Sequence, residues 1–385
     1  MLRPLLVLLA TGSLSLAQEK PDAVVNAETI AASMRRGVDF LVATQNADGS
    51  FGSARKTKDL NIYAPLPGAH HAYLAGSSGL ALCGLLDSRD PRPEVLAAIA
   101  KGAAWAEREL PKLRRADQTT TYNIWGHAYG LRAFTRLFQH AANDAEKEKW
   151  KRLGQQQIDL ANRYEDVNGG WGYLDLYDDL TTQKPSGITT SFMTATMLLA
   201  MKEAADVMNV TLDEKVVSTS LDSIERQRTP DFSYVYSHSH ILRPRSPINR
   251  PAGSLARSQA CNAALRAFGK PVATDEIIAA WADRFIARER FLSIGRKRPV
   301  PHETHFQISG YFYYYGIYYF TEAVSFLPPA QQPRHAAELA KFILFRQEED
   351  GSWWDYPLYD YHQAYGTGYS LMALSRCQPL IPNNE

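Results

Sequence analysis

One phrase occurs three times along this chain and constrains its fold more than any other feature. An apolar pair is followed at fixed offsets by Gln or Glu, then Gly, then an aromatic. The copies are Phe40-Leu41, Gln45, Gly49 and Phe51; Leu160-Ala161, Glu165, Gly169 and Trp171; and Phe342-Ile343, Gln347, Gly351 and Trp353. The glycines stand 120 and 182 residues apart, close to two and three units of about 60 residues, as in a repeat array with eroded copies. That unit predicts further copies near residues 109, 229 and 290. Ile224-Glu225-Arg226-Gln227 with Asp231-Phe232 fits the second, and Trp281 with Phe285-Ile286 the third.

Helical periodicity fills the space between these anchors, with predicted helices over 28–45, 70–87, 92–110, 120–140, 143–164, 187–208, 212–226, 252–268, 273–290, 303–327, 331–347 and 362–377. Breakers such as Pro65 with Pro67-Gly68, Pro91 with Pro93, and Pro328-Pro329 fall between them, where helices end. No run sustains the alternation of a sheet. The aromatic run Tyr311 to Tyr315 favours strand by propensity but sits inside a longer helical pattern. About twelve helices make six hairpins, and the repeat spacing gives the same number. The expectation is an all-α ring, an α/α toroid with two concentric layers, in which closure removes the ends that an open array must cap. In each hairpin the Gly permits the reversal past the first helix, the side-chain amide satisfies loose backbone groups there, and the aromatic packs on a neighbour.

Residues 1–17 read as a secretory leader: Arg3, an apolar centre from Leu5 to Leu9, then Ser15 and Ala17 at the −3 and −1 positions before Gln18. A short linker at 18–26, one toroid domain at 27–378 and a tail at 379–385 follow. The chain is expected to be secreted or periplasmic and not an integral membrane protein, since no later stretch is apolar for long enough to span a bilayer. Removing Arg3 leaves the basic residues equal to the 41 acidic ones, which argues against bulk binding to nucleic acid or an anionic membrane. Cys83, Cys261 and Cys377 are odd in number and far apart; three buried thiols fit better than one disulfide, and no metal knuckle is spelled out.

The Gln-x-x-x-Gly-x-Trp phrase after an apolar helix, with Arg36-Gly37 preceding the first copy, resembles the QW-type repeat of the prenyltransferase/squalene-oxidase group. That group includes the terpenoid cyclases and the protein prenyltransferase β subunits. Tyr122-Asn123-Ile124-Trp125-Gly126-His127-Ala128-Tyr129-Gly130 is similar to segments in exported bacterial members. The resemblance covers essentially the whole mature chain and implies the α/α toroid.

It implies chemistry less well. A class II cyclase acid needs Asp-x-Asp-Asp, whereas Asp175-Leu176-Tyr177-Asp178-Asp179 is out of spacing by one residue. The Leu-Tyr-Asp within it recurs at the same offset as Leu358-Tyr359-Asp360, which points to a loop device. The prenyltransferase zinc set has a counterpart for its His in His362, but Cys261 has no partnering carboxylate beside it, so no metal or other cofactor is expected. The candidates that remain stand at the starts of the inner helices: His70, His71, Tyr122, Asn123, Trp125, His127, Thr190, His305, Tyr311, Tyr315, Tyr361, His362 and Tyr365. In a toroid these ends can converge on one mouth. His127, His362, Tyr361, Asp178 and Asp179 are the catalytic candidates, His being suited to proton transfer near neutral pH. His70, His127 and His362 are expected to approach one end of the axis.

Three functions fit this reading. The first is a central cavity holding a small-molecule, isoprenoid-like or lipid ligand. The second is a carbohydrate-active enzyme such as a polysaccharide lyase, and the third a non-catalytic envelope scaffold.

Overall fold

The computed structural model describes residues 24–58, 67–113, 123–172, 189–250, 253–298 and 310–381. The leader at 1–17 and candidates Tyr122, Asp178, Asp179 and His305 lie outside the described residues. Twelve α-helices occur among those described. They are α1 (Ala27–Thr44), α2 (Pro67–Ser88), α3 (Pro93–Glu109), α4 (Asn123–Gln139), α5 (Asp144–Asn162) and α6 (Ser191–Met208), then α7 (Glu214–Arg226), α8 (Leu255–Ala267), α9 (Asp275–Ser293), α10 (Tyr313–Val324), α11 (Gln332–Phe345) and α12 (His362–Cys377). Each even-numbered helix packs on the next, and α12 packs back on α2, closing an inner ring. The odd-numbered helices form the outer layer.

The two layers differ in burial because they differ in pattern. Helix α1 buries Ile30, Met34, Val38 and Leu41, a single stripe at helical spacing that faces inward. Helix α10 is buried at every position, as a helix walled on all sides must be. The run Tyr311 to Tyr315 is helical in character: a 3₁₀ turn over Gly310–Phe312 leads directly into α10. Close approach between inner helices uses glycine. A Cβ on Gly79 would stand 2.7 Å from the Tyr129 carbonyl oxygen across the α2–α4 contact.

The repeated phrase is a docking device between outer helices. Gln45 donates to the Gly49 and Ala98 carbonyls at 3.1 and 2.9 Å, and Gln347 to those of Gly351 and Ser33 at 2.8 and 2.9 Å. The indole N–H of Trp171 reaches the Ala161 carbonyl at 2.9 Å, and that of Trp353 the Ile343 carbonyl at the same distance. The third copy thus ties the last hairpin to the first. A fourth copy exists near residue 229: Thr229 N–H bonds to the Ser233 carbonyl as Glu348 N–H bonds to Ser352. Its register is one residue later than the Gln227 reading, so Phe232 takes the glycine position at φ 62°. The three cysteines are separate, buried and free.

Gly351 has φ 88°, and a Cβ there would lie 2.5 Å from the Arg36 carbonyl oxygen. Both the left-handed conformation and the backbone collision oppose a side chain. Gly351→Ala is expected to lower unfolding free energy by roughly 2 kcal/mol, read by urea titration. A loss below about 0.5 kcal/mol would show that the first and last hairpins do not need this approach.

Candidate functional site

The even helices all start at one end of the ring, and their inward stripes define the axis. In α4, Trp125, Tyr129, Arg132 and Arg136 recur at spacings of four, three and four, which keeps them on one helix face. Tyr365, Tyr369 and Arg376 do the same in α12, and Tyr315, Tyr318 and Glu322 in α10. Helices α4 and α10 are opposite one another in the order of the ring, yet Trp125 and Tyr315 meet edge to face at 6.1 Å. Trp125 also stacks on Tyr129 at 5.7 Å. Below them the Tyr129 and Tyr369 hydroxyls bond to each other, and Tyr315 donates to the Phe192 carbonyl at 3.1 Å. These side chains close the axis about one turn inside its mouth. Burial pushes the Tyr129, Tyr315 and Tyr369 phenols well above their ordinary value, so these hydroxyls stay neutral.

The far end of the axis holds charges instead. Arg132 is fully buried and contacts Glu322 at 2.8 Å, Glu203 at 2.7 Å and the Tyr318 hydroxyl at 2.7 Å. Arg136 reaches Asp87 at 2.8 Å and Glu203 at 3.1 Å, and Arg376 reaches Glu322 at 3.1 Å. Three guanidinium groups face three carboxylates from five inner helices. The sequence signal was there to read, in two arginines four apart within an apolar helix.

The mouth lies above the Trp125 floor, at the starts of the inner helices. His70 Nδ1 is 3.1 Å from the Tyr361 hydroxyl, and its ring meets Tyr359 edge to face at 4.7 Å. Lys58 donates to the Tyr356 hydroxyl at 2.6 Å and lies over the same ring. Burial pulls that ammonium down to about 8. The Tyr236 and Tyr311 hydroxyls are 3.1 Å apart, and Tyr311 meets Tyr356 at 5.9 Å between ring centres. Tyr365 donates to Asp355 at 2.6 Å. Asp355 is fully buried, and burial pushes its carboxyl up to about 6 against the bonds from Tyr365 and the Tyr314 N–H.

Of the residues singled out in the sequence, His70, Tyr361, Trp125, Tyr311, Tyr315 and Tyr365 belong to this mouth and floor. His71 stands half-buried beside His70. Asn123 opens α4, is 3% exposed, and its carboxamide has no hydrogen-bond partner among the described residues. Thr190 caps α6 by accepting from the Met193 N–H at 3.4 Å.

The three histidines all lie in the first two turns of inner helices; His70 and His362 both border Tyr359, and His127 stands apart from them. His127 turns to the outer layer, with Nδ1 2.9 Å from Gln157 Oε1, and burial pulls it down to about 4. His362 engages the Tyr359 carbonyl at 2.7 Å and the edge of Trp354. Burial holds it below its ordinary value. Sequence reasoning missed Lys58, Tyr236, Tyr356 and Asp355. The last had a signal, as a carboxylate two residues beyond the Trp353 of the repeat.

The sequence matches no protein-family model and no curated protein. Solved structures do match over nearly the whole chain. Cellobiose 2-epimerase from Spirochaeta thermophila superimposes with TM-score 0.57 at 13% identity, covering 92% of this chain and 97% of that one. A possible member of the GH105 family from Klebsiella pneumoniae gives 0.51 at 13%, covering 97% and 98%. A variant of the type II terpene cyclase MstE from Scytonema, in complex with geranylgeranyl dihydroxybenzoate, gives 0.50 at 13%, covering 92% and 99%. At such identities the likeness is one of fold: this chain has the α/α toroid. Proteins named for carbohydrate and for terpene chemistry share that architecture, so its function has to be argued from the site. No described helix is long and apolar enough to cross a membrane.

Proposed function

We propose that this protein is an exported member of the QW-type repeat group whose mouth binds a polyhydroxylated ligand, a carbohydrate, with His70 and Tyr361 as its proton-handling pair. The polar groups gathered above the floor carry this reading: the His70 imidazole bonds to the Tyr361 hydroxyl and the Lys58 ammonium to the Tyr356 hydroxyl, over Trp125 and Tyr315. Aromatic faces there alternate with hydroxyl, imidazole and ammonium groups. Such a surface stacks on sugar C–H faces and exchanges hydrogen bonds with their hydroxyls. An imidazole 3.1 Å from a phenol can pass a proton to or from a substrate carbon or oxygen beside it.

The second reading is an apolar isoprenoid-like or lipid ligand. The aromatic floor of Trp125, Phe192 and Phe312 speaks for it. The hydroxyl, imidazole and ammonium groups of Tyr361, His70 and Lys58 speak against it.

Trp125 is part-exposed in the floor, so its fluorescence can report occupancy. Titration with neutral and acidic oligosaccharides is expected to give saturable quenching. Tyr361→Phe, which removes one hydrogen bond and keeps the ring, is expected to weaken binding roughly tenfold. No response to any saccharide, with an apolar molecule of defined mass co-purifying on organic extraction, would replace this reading with the second.

A further inference from the structure

The overall charge is balanced, but its distribution is not. Residues 238–250 carry Arg243, Arg245 and Arg250, all exposed, and no carboxylate. Residues 288–298 expose Arg288, Arg290, Lys297 and Arg298. Their one carboxylate, Glu289, is buried against the Tyr313 hydroxyl and Arg346. Glu348 bonds to Lys297 at 2.7 Å, and Arg290 and Arg298 have contacts of their own; Arg243, Arg245, Arg250 and Arg288 supply positive charge to these segments.

The two segments flank one turn of the mouth. Tyr236 of the first connection meets Tyr311, and Gly310, next to it, packs on the backbone at Gly295.

The same two segments and the end of α11, which packs on α9, also expose apolar side chains. Leu242 is 91% exposed, Ile294 45%, Phe345 41%, and Ile241 and Phe291 37% each. They are five of the eight large hydrophobic residues exposed among those described. Phe345 shares a shallow notch of about 350 Å³ with Ser293, Arg296, Lys297, Arg346 and the lone carboxylate Glu348. On α9, Arg288 and Phe291 stand three residues apart and so project from one face, with Ile294 directly after the helix. Solitary exposed hydrophobics are ordinary, but several gathered on one edge among cations mark a contact surface.

We infer that this edge of the mouth docks on an anionic lipid bilayer. Leu242 and Ile241 at the loop, with Phe291, Ile294 and Phe345 at the ends of α9 and α11, enter the headgroup region. Arg243, Arg245, Arg250 and Arg288 lie against lipid phosphates. Apolar residues that penetrate and cations that neutralise make up the two-part signal of a peripheral membrane protein. A polyanionic glycan would use the cations and leave Leu242 and Ile241 without a role, so the lipid surface fits better. The inference stands on the edge alone and does not depend on what the mouth binds.

Vesicle co-sedimentation of the whole protein tests it. Binding is expected to phosphatidylglycerol–phosphatidylcholine vesicles, to weaken as salt is raised, and to be slight on phosphatidylcholine alone. Ile241→Asp with Leu242→Asp, both in an exposed loop, is expected to reduce partitioning at least about tenfold. Leu96→Asp, exposed at the start of α3, is expected to leave it unchanged. Failure to sediment with anionic vesicles overturns the inference, as does sedimentation indifferent to the loop substitutions. Retention on immobilised polygalacturonate without vesicle binding would assign the edge to acidic polysaccharide instead.

Discussion

Replacing Arg132 by Ala is expected to lower unfolding free energy by about 3–5 kcal/mol, the range found when one partner of a buried ion pair is removed. Arg132 has 1% side-chain exposure and Glu322 8%, so neither charge can turn to water when the other is lost. The substitution strands Glu322 opposite Arg376 alone and takes one of two arginines from Glu203. Because α4 and α10 face each other across the ring, the pair ties together elements that no hairpin connects. Arg132→Met combined with Glu322→Leu removes both charges and is expected to cost at least about 1 kcal/mol less than the two single changes added together. Urea unfolding followed by circular dichroism measures the four corners of this cycle. A single-variant loss under about 1 kcal/mol would show the cluster to be well hydrated.

The cluster also sets an acid limit. Burial raises the Glu322 carboxyl, but Arg132 and Arg376 outweigh burial and hold it below its ordinary value. Its contribution to stability is therefore present above the ordinary carboxylate range and is lost as pH falls through the depressed folded value.

The second large effect has the opposite sign. Asp355 titrates near 6 in the folded protein against an ordinary 3.8, because burial disfavours its charge. A raised carboxylate stabilises the fold fully below the unfolded value, and that contribution disappears as pH rises through the folded value. Two units correspond to about 3 kcal/mol, withdrawn between roughly pH 4 and pH 7. Asp355→Asn abolishes this component, since the amide does not ionise. It can accept only one of the two bonds, from Tyr365 and the Tyr314 N–H, that the carboxylate accepts. The stability difference between wild type and variant is accordingly expected to move by about 3 kcal/mol in the variant's favour from pH 4 to pH 7. Urea titrations at the two pH values measure it. An unchanged difference would mean that Asp355 stays ionised throughout.

The mouth was partly legible in the sequence, for reasons visible at single positions. Trp125 and His127 were both marked, yet residues two apart on a helix point about 200° from each other. If one faces the axis, the other faces the outer layer. The sequence states that relation but not which residue takes which side; the packing of α4 against Gln157 of α5 decides it. Lys58 and Tyr236 went unmarked because they reach the mouth from connecting segments that carry no periodic pattern.

What the sequence alone determined is the ring. Its glycine, amide and aromatic anchors act locally, and a motif that docks each hairpin on the next repeats in the chain as it repeats in space. What only the tertiary structure decided is how the centre is filled: Trp125 against Tyr315, Tyr129 against Tyr369, Arg132 against Glu322. Those partners lie 190 to 240 residues apart. No local pattern relates such positions, because they become neighbours only when the ring closes.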